Sequence, residues 1–138
     1  MSTVNLYVDT NINGVGKKKG KYIYLLETET SKGPATVYDI KEVEATKDVA
    51  EIEAIVAAVK RLNPNSCTEL NIYVTSRMLM TNLNDYLSRW AAHNFLGANG
   101  KRLSRWEDWQ TIYENTQKIH MRAYNNTHSY SKWLLKQL

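Results

Sequence analysis

The sequence predicts an α/β fold: a five-stranded mixed sheet, three strands antiparallel and the later ones parallel, flanked by helices. Two observations predict it. Residues 4–9 and 35–43 alternate apolar and polar side chains and lie either side of a long apolar run with short turns between, the pattern of an antiparallel meander. Residues 49–62 then repeat with helical period before a further strand, and a strand reached through a crossover helix runs parallel to its neighbour.

The elements follow in order. In the first strand, residues 4–9, Val4, Leu6 and Val8 share one face and Asn5, Tyr7 and Asp9 the other. Asn13-Gly14-Val15-Gly16 turns the chain into a long second strand over residues 17–30, and Gly33-Pro34 turns it into the third over 35–43. A helix over 48–62, with Asp48 in its first turn, ends before Pro64, and residues 69–75 form the fourth strand. The second half is mainly helical. Leu79, Leu83, Tyr86, Leu87 and Trp90 define a stripe over 77–93 with a break near Thr81 and Asn82. Ser104 is the expected N-cap of a helix over 105–115, with Glu107 completing a capping box. A fifth strand over 118–124 and a short helix over 131–138 close the chain.

At 138 residues, the chain is near the modal domain size and long enough to bury roughly two thirds of the surface exposed when unfolded. We therefore expect residues 1–138 to form one domain, with no linker, repeat or low-complexity segment. The apolar content of 43% and charged content of 23% are those of a soluble protein, and no stretch reaches the ~20 apolar residues that cross a bilayer. No membrane partner is expected. A single cysteine, Cys67, excludes an internal disulfide, and with no signal-peptide pattern the expected compartment is the cytoplasm. Cys67 is read as an ordinary loop thiol. The net charge of +4 leans towards a polyanionic partner without identifying one.

One residue breaks the pattern. At 100° per residue Glu51 falls in line with Ile55, Ala58 and Leu62 on the buried stripe, whereas Glu53 points away, beside Lys60. A carboxylate in such a place costs several kcal/mol unless it is paired, protonated or holding a metal. Asp9, at the end of the first strand, is the nearest candidate to compensate it.

Several segments together bring out a resemblance. Tyr7-Val8-Asp9-Thr10-Asn11 resembles Y-T-D-G-S, Thr46-Lys47-Asp48-Val49-Ala50-Glu51 resembles T-N-N-R-A-E, and Ile72-Tyr73-Val74-Thr75-Ser76 resembles I-x-T-D-S. Trp90 and the run from Gly100 to Gln110 follow at matching spacing. This order is similar to that of bacterial and retroviral ribonuclease H, over essentially the whole chain. The resemblance implies a ribonuclease H-like fold and a site in which four carboxylates hold two divalent cations about 4 Å apart to cleave RNA in an RNA/DNA hybrid.

The departures matter as much. By position the first two acids are Asp9 and Glu51, but Thr75 stands at the third and Ser131 or a neighbour at the fourth. Two carboxylates with two hydroxyls predict at most weak binding of Mg2+ or Mn2+ and no close pair of dications. The expected function is that of a ribonuclease H-like protein that binds RNA/DNA hybrid or duplex with impaired catalysis. The alternatives are an active metal-dependent hybrid endoribonuclease with a rearranged site and a non-catalytic module that binds a protein partner.

The resemblance also points to contacts for the nucleic acid: Thr46, Lys47 and Arg77 near the site, then Arg89, Trp90, Lys101 and Arg102 where the family has its basic handle. Lys47 and Asp48 replace the family's adjacent asparagines, and Ala91 and Ala92 stand where lysines are common. His128 falls where the family carries a mobile histidine, an ordinary surface histidine being the default reading. Trp109 and Trp133 are expected in the core. His93 and His120 lack metal-ligand spacing, and Asn13-Gly14-Val15-Gly16 lacks the context of a phosphate loop.

Overall fold

Alternating strands and one crossover helix assemble as the pattern requires in the computed structural model, which describes residues 2–138. The five strands are β1 (Ser2–Thr10), β2 (Lys18–Thr30), β3 (Gly33–Ala45), β4 (Cys67–Tyr73) and β5 (His120–Tyr124), in sheet order β3-β2-β1-β4-β5. The β1–β2 and β2–β3 pairs are antiparallel, whereas β1–β4 and β4–β5 are parallel. Helix α1 (Lys47–Val59) makes the crossover between β3 and β4.

The two faces of the sheet are unequal. Val4, Leu6 and Val8 of β1 face α1, where they join Ala54, Ile55, Ala58, Leu70, Ile72, Leu79, Trp109 and Ile112 in the main core. Tyr7, on the opposite face, joins Ile23, Leu25 and Leu134 in a smaller cluster beneath α5 (Ser131–Gln137). Burial of this apolar surface supplies most of the drive to fold. Trp109 is a core residue, as expected. Trp133 belongs instead to the smaller cluster, half-buried and edge-on to Tyr38 at 5.0 Å.

Boundaries shift in ways that matter for the site. The fourth strand begins at Cys67 and ends at Tyr73, two residues earlier than the alternation indicated, so Thr75 stands in the turn beyond the strand. Cys67 is accordingly not a loop thiol. It is buried at the head of β4 and its Sγ–H donates to the Glu69 carbonyl at 3.3 Å. The helical run after β4 comprises α2 (Arg77–Thr81), a π-helical turn (Asn82–Tyr86) and α3 (Leu87–Ala92). The break expected near Thr81 and Asn82 is this widening of the backbone ladder.

The fourth helix, α4 (Trp106–Thr116), corrects another expectation. Ser104 and Glu107 do not form a capping box; the N-cap is Arg105, in the left-handed region at φ 63° and without a side-chain cap bond. The Arg105 guanidinium instead bridges Glu53 at 3.0 Å and Asp108 at 2.7 Å, which fixes the turn from outside the helix. Glu53 is thus half-buried, lining one pocket with Lys60 and Asp108 while its carboxylate pairs with Arg105. No helix among the described residues is long and apolar enough to cross a membrane.

Candidate active site and nucleic-acid interface

The candidate site forms where β1, α1 and the turn after β4 meet. Asp9 lies on the polar face of β1, one residue before the strand ends, where the Thr10 N–H donates to its Oδ1 at 2.7 Å. Burial pushes the Asp9 carboxyl above its ordinary value, against the opposing effects of that N–H and of the Lys47 charge. Glu51 reaches the same place from the second turn of α1 and is fully buried at 0% exposure. Its compensation is not Asp9. The Thr75 N–H donates to one Glu51 oxygen at 2.8 Å and the Thr75 hydroxyl to the other at 2.6 Å.

Glu51 is therefore gripped on both oxygens by the residue that stands where the resemblance requires the third acid. Burial raises its carboxyl to about 7, the two Thr75 bonds and Lys47 acting downward and the nearby Asp9 charge upward. Desolvation wins because two neutral donors replace only part of the hydration that a carboxylate loses in a sheet–helix interface.

The fourth position is also otherwise employed. Ser131 opens α5, and its Oγ accepts the His128 N–H at 2.9 Å, while the Tyr130 N–H donates to His128 Nδ1 at 3.2 Å. Ser131 thus organises the loop before α5. Asp48 and Asp85 join no acidic cluster with Asp9 and Glu51: among the described residues, no three His, Cys, Asp or Glu side chains come together as a metal site. Two carboxylates, one with both oxygens held by Thr75, do not fit a closely spaced pair of dications.

The residues expected to meet nucleic acid divide into free and committed groups. Thr46 is the N-cap of α1, its hydroxyl accepting the Val49 N–H at 3.3 Å, and Lys47 follows as the first helical residue, near both Asp9 and Glu51. Arg77 is exposed at the start of α2. Arg89 is exposed near the end of α3, with its guanidinium 5.9 Å from the Tyr86 ring. Lys101 and Arg102 are exposed in the following loop, and Arg102 lies over Trp106 at 3.9 Å. Trp90 is committed to the fold: it stacks on Tyr86 at 5.9 Å and meets Trp109 edge-on at 5.3 Å. Arg105, within the same basic loop, is tied up in its two ion pairs.

A cluster that the sequence reading missed lies beside Asp9 on the same face. Tyr7, Tyr73 and Tyr124 sit opposite one another on β1, β4 and β5 and stack at 4.8 and 5.2 Å. His128 is not an ordinary surface histidine. It packs over Tyr7 at 4.4 Å and Tyr73 at 5.4 Å, and burial lowers its pKa. Glu27 on β2 closes the cluster, accepting from the Tyr130 hydroxyl at 2.5 Å, the Asn5 amide at 2.9 Å and the Tyr7 hydroxyl at 3.3 Å. The available signal was the placement of Tyr7 two residues before Asp9, which puts both on one side of β1.

Comparison with known proteins gives consistent results. A family model described as RNase H matches residues 1–129. Among solved structures the chain is similar to LC9-RNase H1, a type 1 RNase H with the type 2 active-site motif, at TM-score 0.72 and 14% identity over 99% of this chain and 70% of that one. It is similar to the N-terminal RNase H domain of rv2228c from Mycobacterium tuberculosis at TM-score 0.67 and 13% identity, covering 99% and 90%. The foamy viral protease-reverse transcriptase in complex with RNA/DNA hybrid matches at TM-score 0.66 and 15% identity over 98% of this chain but only 18% of its own length. No curated protein matches. At these identities the structural likeness speaks for the fold alone.

Proposed function

We propose a function from the premise that this chain belongs to the ribonuclease H family: it binds RNA/DNA hybrid or nucleic-acid duplex, and its metal-dependent hydrolysis is impaired. The observation that carries this reading is the double hydrogen bond from Thr75 to Glu51. A cation entering there would have to displace a hydroxyl and an amide from Glu51, the only buried acid among the described residues, and would gain Asp9 as its one other carboxylate. Mg2+ keeps its waters unless charged oxygens replace them, so binding at Asp9 and Glu51 is weak and single. Treating residues 1–138 as one domain, in a reducing cytoplasm, is part of the same reading.

Binding rests on separate features. Arg77, Arg89, Lys101 and Arg102 are exposed cations on the helical arm and its loop, with Lys47 at the site, and each phosphate they neutralise releases counterions. The solved foamy viral relative holds an RNA/DNA hybrid, which supports the same class of ligand for this fold. Thr46 contributes by fixing the first turn of α1 and thereby Lys47. Trp90 contributes by holding the arm against α4.

The test has two arms. Fluorescence anisotropy with a labelled RNA/DNA hybrid should give affinity that falls linearly in log–log form as salt rises. Absence of binding at low salt would remove the nucleic-acid reading and favour a protein-interaction module. In the second arm, cleavage of the hybrid in Mg2+ or Mn2+ should not exceed that of Asp9→Asn. Activity that disappears in Asp9→Asn would instead establish a rearranged, working site. That second reading draws its support from the retention of both Asp9 and the buried Glu51, a costly charge for a fold with no use for it.

A further inference from the structure

The outer edge of β3 carries no strand: among the described residues β3 pairs with β2 alone. It runs through 13 residues against β2 without a register shift, and Val37 and Tyr38 are 42% and 49% exposed. A long, unbroken, exposed edge is a template for pairing with another strand.

The backbone polarity of that edge is defined. In an antiparallel ladder, alternate residues point both N–H and C=O towards the neighbour and the others point away. The Ile40 N–H donates to the Asp39 carboxylate at 2.9 Å and so faces outward, as do the other even-numbered residues, including Pro34, which has no N–H to offer. From Thr36 to Glu44 the even-numbered groups are thus available to a partner strand.

The side chains either side of Ile40 complement one another across a two-fold axis. Placing a second β3 antiparallel on this edge with Ile40 opposite Ile40 puts Val37 opposite Val43, and Asp39 opposite Lys41, twice by symmetry. On the other face Thr36 meets Glu44 and Tyr38 meets Glu42, with no like charges opposed. Residues opposite each other are both even or both odd, so every outward N–H from Thr36 to Glu44 meets a carbonyl. Other registers fail: sliding by two residues opposes Lys41 to itself or Asp39 to itself, and sliding by four opposes Glu42 to itself or, centred on Tyr38, leaves Asp39 and Lys41 without each other. Neither Asp39 nor Lys41 has an ion-pair partner within the chain among the described residues.

We propose that the β3 edge is a homodimer interface, occupied by β3 of a second copy of this chain in the register centred on Ile40, giving a continuous sheet across a two-fold axis. The Asp39 carboxylate, which covers the Ile40 N–H in the single chain, turns to the facing Lys41 on association. It serves as a guard on the free edge and as a contact in the pair.

Charge reversal tests both the surface and the register, using sedimentation equilibrium of the full chain up to millimolar concentration. The unaltered chain should dimerise. Asp39→Lys and Lys41→Asp should each weaken association by about tenfold or more, because two facing pairs become like-charged. The double variant Asp39→Lys/Lys41→Asp restores opposite charges and should recover the dimer. An equimolar mixture of the two single variants should form heterodimers, which also shows that each is folded. A chain that stays monomeric at millimolar concentration overturns the proposal, as does a dimer that ignores both reversals.

Discussion

Two carboxylates on opposite sides of the sheet, Glu51 and Glu27, meet the same problem with opposite results. Both are held by uncharged donors: Glu51 by the Thr75 N–H and hydroxyl, Glu27 by Tyr130, Asn5 and Tyr7. Burial acts upward at both and is the largest single influence at each. At fully buried Glu51 it prevails and the carboxyl rises to about 7. At half-buried Glu27 three hydrogen bonds together outweigh it, and the pKa falls below the ordinary value. The number of donors needed to keep a carboxylate charged therefore depends on how much water it has lost. Glu51, seated as if for a cation, has the fewer donors and the deeper burial.

The largest expected effect is a pH dependence of stability. Because the folded-state pKa of Glu51 lies above its unfolded value of 4.5, the folded state binds the extra proton between these values, and stability falls as pH rises from 4.5 to about 7. The shift corresponds to about 3 kcal/mol. Asp9, also raised by burial, adds a loss of the same sign, whereas His128, lowered by burial, loses stability as pH falls below 6.5. Glu51→Gln isolates the contribution. The difference in urea-unfolding free energy between the unaltered chain and this variant should change by about 3 kcal/mol across that range. A difference that is flat with pH breaks the contrast with Glu27.

Removing donors gives the next effects. Thr75→Ala deletes the hydroxyl that serves Glu51 but keeps the backbone N–H, and should cost about 1–3 kcal/mol at pH 8. At pH 5 the cost should shrink, because the protonated acid no longer needs both donors. Tyr130→Phe removes the shortest bond to Glu27 and should cost about 1–2 kcal/mol. Its pH dependence has the opposite sign. Glu27 stabilises the fold above its unfolded pKa of 4.5, and that contribution is lost as pH falls through its lower folded value, so Tyr130→Phe should matter most above pH 4.5. Carboxyl chemical shifts followed by NMR should show Glu27 returning towards its ordinary range.

The contrast also explains what was legible in the sequence. Strict alternation in β1 and helical period in α1 were sufficient to place Asp9 at a strand end and Glu51 on a buried stripe, because both patterns are local. The partner of Glu51 was not legible. Asp9 looked nearest, but Thr75 takes the contact because β4 ends at Tyr73 and frees the turn to fold back over α1, a tertiary event that residue spacing does not encode. The Glu27 cluster was hidden for a similar reason: it joins β1, β2 and the loop before α5 across 103 residues between Tyr130 and Glu27. Trp90 shows a different limit, since its residue type suggested nucleic-acid contact while its surroundings supply Tyr86 and Trp109.

The smallest expected effect is the sharpest test of which donors hold Glu27 charged. Tyr7 donates at 3.3 Å, long for a hydroxyl, while its ring stacks on Tyr73 and lies under His128. Tyr7→Phe keeps the ring and removes only that long bond, so it should cost about 0.5 kcal/mol, well below Tyr130→Phe. The Glu27 pKa should rise slightly and the Tyr7–Tyr73 stack should survive. If Tyr7→Phe proved as costly as Tyr130→Phe, the three donors would act as one cooperative network rather than by length, and counting donors would no longer explain why Glu27 and Glu51 part company.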